Sequence, residues 1–230
     1  MKRSEINRYI AEAKEFIGSC GFRLPPFGFW GPGEWKTKGG DYDEIRENQL
    51  GWDLTDFGSG DYEKIGLLLF TLRNGNYHNP RNKKTYAEKI MIGRENQVTP
   101  YHFHRSKMED IINRGGDGRL CIQLYASLGP HELDEQSPVS VAVDGRNFTV
   151  PPGGIVRLSA GGSITLYQDV FHQFWAEGGM LLMGEVSMVN DDHTDNYFLE
   201  APGRFPQIIE DELPLHLLVG DYALYKKTTS

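Results

Sequence analysis

His102 and His104 stand one residue apart in Tyr101-His102-Phe103-His104. Side chains alternate along a β-strand, so residues at i and i+2 leave the same face with their Cα atoms roughly 6.5 Å apart. Two imidazole nitrogens can then converge on one ion. Beyond a turn predicted at Arg105-Ser106-Lys107-Met108, Glu109 opens the next apolar run and can bring a carboxylate to the same inner face. A fourth ligand must come from a strand distant in sequence, and His172, in Phe171-His172-Gln173-Phe174, lies within a β-pattern. Three imidazoles and one carboxylate suit Mn, Fe, Co, Ni or Zn, with positions left open for a substrate. An HxH pair alone is more often surface histidine or a hydrogen-bonded core pair; Glu109 and His172 tip the reading toward a metal. His78, His131, His193 and His216 sit in polar loops or the tail and read as solvated.

Such ligands need a rigid support, and the pattern around them is that of short antiparallel strands. Lys64–Leu72 is a short apolar run with the length of a buried strand. Lys89–Ile92 and Ile111–Ile112 are further candidates, and Leu120–Tyr125 alternates. Val139–Val143, Asn147–Val150, Ile155–Leu158, Ser163–Tyr167, Phe171–Trp175 and Met180–Val189 follow, separated by Asp-Gly, Pro-Gly or Gly-Gly turns. This cadence predicts an all-β sandwich or barrel. Ahead of it, Ile6, Tyr9, Ile10, Ala13, Phe16 and Ile17 recur at three and four, the stripe of a helix running from near Ser4 to Gly18. A Pro-, Gly- and aromatic-rich segment from Leu24 to Trp35 reads as an ordered irregular arm. The expected organisation is a single structural domain: residues 1–63 as helix and arm packing on the barrel or on a dimer partner, 64–190 as the barrel, and 191–230 as a C-terminal wrap.

Two resemblances sharpen this. His102-Phe103-His104, Glu109 and Gly116 match the HxH(x)4E(x)6G part of the first cupin motif at every position, whereas the motif's leading glycine has its nearest counterpart three residues early, at Gly93. The second motif is poorly matched, with Tyr167 and Asp169 where PxG is usual. A second resemblance covers nearly the whole chain. Phe22–Phe27, Gly51–Gly58, Lys107–Gly116 and Gly184–Asp192 are similar to segments of the bacterial D-lyxose isomerases. That resemblance implies a cupin-type antiparallel β-barrel (a double-stranded β-helix) with an N-terminal helix and irregular extensions. It also implies a homodimeric enzyme, usually most active with Mn²⁺, that interconverts D-lyxose and D-xylulose and often D-mannose and D-fructose.

Aldose–ketose interconversion moves a proton between C1 and C2 while O1 and O2 exchange protons, so it needs a Lewis acid for the oxygens and a base for carbon. Glu185 is the first candidate base, because an acidic residue inside the apolar run Met180–Val189 should point at something polar inside; the alternative is a structural ion pair with an arginine such as Arg114. Glu210 is a second candidate if the tail folds over the barrel mouth, and otherwise belongs to a solvated acidic turn. Lys107 is placed to polarise a substrate oxygen or to balance enediolate charge, or is simply solvated. Asp195 and Gln168 are weaker candidates for hydroxyl recognition, and Trp52, Phe103 and Trp175 are either walls against a sugar face or core aromatics. The same ligands also serve cupin dioxygenases, and a non-catalytic sugar-binding cupin is a third reading.

The 230 residues carry a net charge of −8 with no long Lys/Arg run, which disfavours nucleic acid, and the lack of a phosphate-cradling Gly/Lys loop favours a neutral monosaccharide. No stretch approaches the ~20 apolar residues of a membrane span. Met1-Lys2-Arg3-Ser4-Glu5 leads into an amphipathic pattern and not a secretory signal, so a cytoplasmic location is expected. Cys20 and Cys121 read as reduced thiols, and the sequon at Asn147 as chance.

Overall fold

A computed structural model describes residues 1–192, 194–200 and 207–225. His193 and residues 204–206, read above with the tail, lie outside the described residues. The chain opens with helix α1 (Arg3–Ser19), whose buried residues Ile6, Tyr9, Ile10, Ala13 and Ile17 form the stripe predicted from sequence. It ends in a Schellman turn, in which Gly21 N donates to Gly18 O at 3.0 Å and Phe22 N to Ile17 O at 3.1 Å. Gly21 takes φ +74°, which glycine adopts without strain. The arm that follows contains two short helices, α2 (Pro32–Trp35) and α3 (Asp43–Glu47).

Fourteen strands follow among the described residues: β1 (Gly51–Thr55), β2 (Leu67–Arg73), β3 (Tyr86–Gly93), β4 (Thr99–Phe103), β5 (Glu109–Gly116), β6 (Arg119–Gly129), β7 (Glu132–Asp134), β8 (Val139–Val143), β9 (Arg146–Val150), β10 (Gly154–Leu158), β11 (Ser163–Leu166), β12 (Val170–Glu177), β13 (Leu181–Met188) and β14 (Tyr197–Phe198). One antiparallel sheet runs β1-β2-β3-β13-β5-β11-β8-β9, and the other runs β10-β6-β12-β4-β14, with β7 beside β6. The inner faces meet over a core that includes Leu69, Met91, Ile111 and Met183 from the larger sheet and Leu120, Ile122, Leu124 and Phe174 from the smaller. This is the cupin-type barrel expected from sequence.

The larger sheet is covered on its outer face too. Leu68, Phe70, Ile90, Ile92 and Leu182 turn outward and pack under α1. Burial on both faces explains why β2 reads as an unbroken apolar run where a half-exposed strand would alternate. It also explains β1, which the sheet takes in ahead of Lys64, where the sequence pattern starts the barrel. In β1, Trp52 and Leu54 pack outward beneath α1, and the buried polar residues Asp53 and Thr55 mask the strand in the sequence. At the end of β5, Gly116 has φ +99°, and a Cβ there would stand 2.4 Å from Met180 O. The motif glycine is thus required by a close backbone approach.

The described tail residues 207–225 pack on α1 and the arm, and not across the barrel mouth. Arg3, 1% exposed, binds Glu210 through Nε at 2.8 Å and Nη2 at 2.6 Å, and Asp221 through Nη1 and Nη2 at 3.1 and 3.0 Å. Glu210 is therefore no barrel-mouth carboxylate: a buried guanidinium must have compensating charge, and Glu210 is one of the two groups that supply it. Its bonds to Arg3 hold its carboxyl below the usual carboxylate range. His216 departs from the solvated reading as well, since it is buried between α1 and the arm. Its Nδ1 bonds Trp30 O at 3.1 Å and its Nε2 lies 2.8 Å from Lys14 Nζ. A ring that donates to a carbonyl and accepts from an ammonium is neutral.

Burial, together with Lys14, pushes the His216 pKa below the ordinary 6.5, although the Trp30 carbonyl opposes this. The unfolded chain takes up a proton near 6.5 that the folded chain refuses. His216 should therefore contribute its full stability above pH 6.5 and lose it as pH falls from 6.5 through the folded value. Urea unfolding of the wild type and of His216→Gln over pH 5–8 should converge on the acid side; a pH-independent gap between them would contradict this assignment.

Candidate metal centre and active site

The four residues picked out by spacing meet inside the barrel. His102 of β4 lies directly opposite His172 of β12 in the sheet register, and their ring centroids are 4.2 Å apart. Two residues on, His104 faces the same way, and Phe103 between them points outward against Phe171 and Tyr197. Glu109, the first residue of β5 in the opposite sheet, brings Oε1 to 3.1 Å from His172 Nε2 and 3.5 Å from His104 Nε2. One ligand atom from each residue fits within a 4.8 Å cluster, and all four residues are buried.

Each imidazole is oriented by a backbone carbonyl. Nδ1 of His102 bonds Pro100 O at 2.8 Å, that of His104 bonds Asp195 O at 2.7 Å, and that of His172 bonds Val170 O at 3.0 Å. These bonds place the proton on Nδ1 and leave each Nε2 as a lone-pair acceptor. His172 Nε2 is buried and has no hydrogen-bond donor. Three lone pairs and a carboxylate oxygen, packed acceptor against acceptor in a buried site, would repel one another; a cation at their centre satisfies all four. The residues fit a divalent ion on this chemistry alone. Burial, reinforced by the neighbouring rings of His172 and His104, pushes the His102 pKa well below its ordinary value, so this ring stays in the neutral form that a metal ligand needs.

Beside the cluster lies a chain of alternating charges. Lys107 Nζ sits 2.6 Å from Glu109 Oε2, 2.9 Å from Glu185 Oε1 and 3.1 Å from Asn190 Oδ1. Lys89, directly opposite Glu185 in the β3–β13 register, lies 3.4 Å from it, and Ser187 Oγ donates to Glu185 at 3.1 Å. Burial opposes the charge on Lys107, but Glu109 and Glu185 outweigh it and hold the ammonium above its ordinary pKa. Burial would likewise raise both carboxyls. Lys107 and His104 instead hold Glu109 well below the carboxylate range, and Lys107 and Lys89 bring Glu185 below it. Glu185 is thus paired with lysines, not with Arg114. β13 turns Gly184 outward toward Arg114 and Glu185 inward.

Lys89, Thr99, Asp192 and Asn196 also line this pocket, and its apolar walls include Phe57, Phe174 and Phe198. None of these seven stood out in the sequence; Lys89 was legible only as a cationic residue inside an apolar strand, the same signal that marked Glu185. Of the aromatics considered from sequence, Trp52 binds Gly28 O through Nε1 at 2.9 Å under α1, and neither it, Phe103 nor Trp175 lines the pocket. Asp195 accepts backbone N–H bonds, and Gln168 only reaches Ser106 O at 3.4 Å on the exposed surface.

The fold matches L-ribose isomerases, with TM-scores of 0.60 to those of Cellulomonas parahominis (16% identity) and Geodermatophilus obscurus (15% identity), each match covering 91% of this chain and 98% of the other. Residues 1–222 match the D-lyxose isomerase family, and the chain belongs to it. It is 44% identical over 225 residues to the D-lyxose/D-mannose isomerase of Serratia proteamaculans, covering 96% of this chain and 98% of that one. It is 42% identical over 229 residues to the protein of the same name from Escherichia coli O157:H7, covering 98% and 100%.

Adding a divalent ion to metal-free protein should raise its unfolding temperature, by about 2.7 kcal/mol of stabilisation at a free concentration one hundred times Kd. Calorimetric scans of His172→Ala should show no such rise. A rise as large as that of the wild type would exclude His172 as a ligand.

Proposed function

We propose that this protein interconverts D-lyxose and D-xylulose, and D-mannose and D-fructose, using His102, His104, Glu109 and His172 to hold one divalent ion, Mn²⁺ in the first instance, with Zn²⁺, Co²⁺, Ni²⁺ and Fe²⁺ as alternatives. The observation that carries the reading is the ionised Glu185–Lys107 pair beside the four-residue cluster, lining one pocket with His102, His104 and Glu109. The bound ion would supply Lewis-acid stabilisation at O1 and O2 of the sugar.

The rest falls to the chain's own groups. Glu185 is in the basic form required to take the proton from C2 of the open-chain aldose and return it to C1, so that no net proton is consumed. Lys107 keeps Glu185 ionised and offsets the negative charge that develops as the C–H bond breaks, giving the enediolate. The phenylalanine walls exclude water, which would otherwise screen these charges. D-mannose shares the C2–C4 configuration of D-lyxose and adds one carbon at the far end. A pocket that reads C1 to C4 accepts both where the mouth has room, and Asp192 and Asn196 are the polar groups available to meet the remaining hydroxyls.

The names of the curated relatives support these two substrate pairs. The homodimer is carried over from the family resemblance. The two free cysteines suit a reducing, cytoplasmic compartment. Among the described residues, no helix is long and apolar enough to cross a membrane.

Chelator-stripped protein should lose D-lyxose to D-xylulose conversion and regain it with Mn²⁺, anaerobically and without oxygen uptake. Oxygen consumption coupled to turnover would favour a cupin dioxygenase, and recovery with no divalent ion would end the metal reading. His104→Gln should lose metal and turnover together. Glu185→Gln should keep its metal while kcat falls roughly 10²–10⁴-fold; an unchanged kcat would remove Glu185 as the base.

A further inference from the structure

Three consecutive backbone N–H groups between β4 and β5 point at one carboxylate. Arg105 N and Ser106 N each donate to Asp195 Oδ1 at 2.9 Å, and Lys107 N donates to Oδ2 at 2.9 Å. The backbone carbonyl of the same Asp195 accepts the Nδ1–H of His104 at 2.7 Å. Asp195 is 7% exposed and comes from the chain beyond the barrel, some 90 positions from the residues it binds. A buried carboxylate is costly unless donors compensate it, and here the donors are the backbone of the connection itself. The connection is thereby fixed at both ends of its chemistry: His104 enters it and Lys107 leaves it.

Lys107 needs that precision. Its ammonium hydrogen-bonds Glu185 and Asn190 and ion-pairs with Glu109, three contacts that lie on separate elements. The Asn190 acceptor is itself held in place, because its backbone N donates to Asn74 Oδ1 at 3.0 Å and its backbone O accepts from Asn74 Nδ2 at 2.9 Å. A shift of about 1 Å in the connection would break at least one of the three contacts and turn the His104 ring, and displacements of that size are known to cost catalysis heavily.

We propose that Asp195 is a positioning residue of the isomerase, setting Lys107 against Glu185 through its side chain and His104 against the metal position through its backbone. The proposal rests on the isomerase reading above and goes beyond it, because Asp195 does not line the pocket and acts only through other residues. A simple loop cap would affect stability alone. A positioning residue alters the metal centre and kcat in a protein that is still folded.

The test uses Asp195→Ala and the near-isosteric Asp195→Asn, each compared with the wild type. Co²⁺ affinity and the visible Co²⁺ spectrum are measured on metal-free protein, kcat and KM for D-lyxose with Mn²⁺, and the unfolding temperature without metal. In Asp195→Asn, Co²⁺ binding should weaken roughly 10–100-fold with a changed spectrum, as is typical when a group supporting a metal ligand is lost. Its kcat should fall by a similar factor while KM moves much less and the metal-free unfolding temperature stays near that of the wild type. The proposal is overturned if either folded variant keeps wild-type kcat and Co²⁺ affinity, or if the losses scale with a lowered unfolding temperature. Should Asp195→Ala not fold, Asp195→Asn decides. Should the wild type show no isomerase activity with any divalent ion, the isomerase reading fails by itself, and the Co²⁺ affinity and spectrum still decide whether Asp195 positions His104.

Discussion

Four electron-rich atoms converge on one point inside this barrel, and they can share it only with positive charge among them. Each imidazole has its proton committed to a backbone carbonyl, so none can relieve the crowding by donating to its neighbour. Glu109 takes part on both sides, with Oε1 facing the histidines and Oε2 in an ion pair with Lys107. Much of the surrounding structure serves that arrangement. The β4–β12 register sets His102 against His172, the β5 start brings in Glu109, and the two sheets close over the group to keep water out. Charges that would be weak in solvent act strongly at such a place, which is why Glu185, Lys107 and Glu109, in series with Lys89, hold their charges although buried: the two carboxyls lie below their ordinary range and the Lys107 ammonium above its own.

The alternation of sign along that series is itself a constraint. Removing Glu185 would leave Lys89 without its carboxylate, and removing Lys107 would leave Glu109 without its lysine, whereas the two inner members each keep a partner when an outer one is lost. The same rule operates far from the pocket, at Arg3, where Glu210 and Asp221 neutralise a guanidinium under the first helix. There the ion cluster joins chain segments from the two ends of the molecule and has no part in chemistry. Composition cannot separate a catalytic carboxylate from a structural one; only the element on which each is carried does so.

The four residues that could hold a metal ion were legible because strand periodicity leaves few choices: i and i+2 share a face, and a carboxylate opening the next strand can reach them. Glu185 was legible for a related reason, as a charge within an apolar run. Glu210 misled because its surroundings, residues 204–211, carry no periodicity that fixes a direction, and its partner Arg3 stands 207 positions away. His216 misled for the same reason. Strand β1 was hidden by the polar residues Asp53 and Thr55, and the pocket walls Phe57 and Phe198 could not be told from core aromatics, since the difference between them is one of tertiary placement. The family-level resemblance reached the correct fold and enzyme class because it drew on long segments at once, whereas no single one of these residues carries that information.

The helix packed against the back of the larger sheet has a further consequence. Strands β3, β5 and β13, which carry Lys89, Glu109 and Glu185, give buried residues to the barrel core, and β3 and β13 also give Ile90, Ile92 and Leu182 to the cluster beneath α1. Asp192 and Asn196, by contrast, lie on the connection after β13, while Phe198 sits in β14 opposite His102. Lys89, Glu109 and Glu185 are thus anchored in the larger sheet, whereas Asp192 and Asn196 line the same pocket from chain outside it, on the connection that Asp195 ties to the residues after His104.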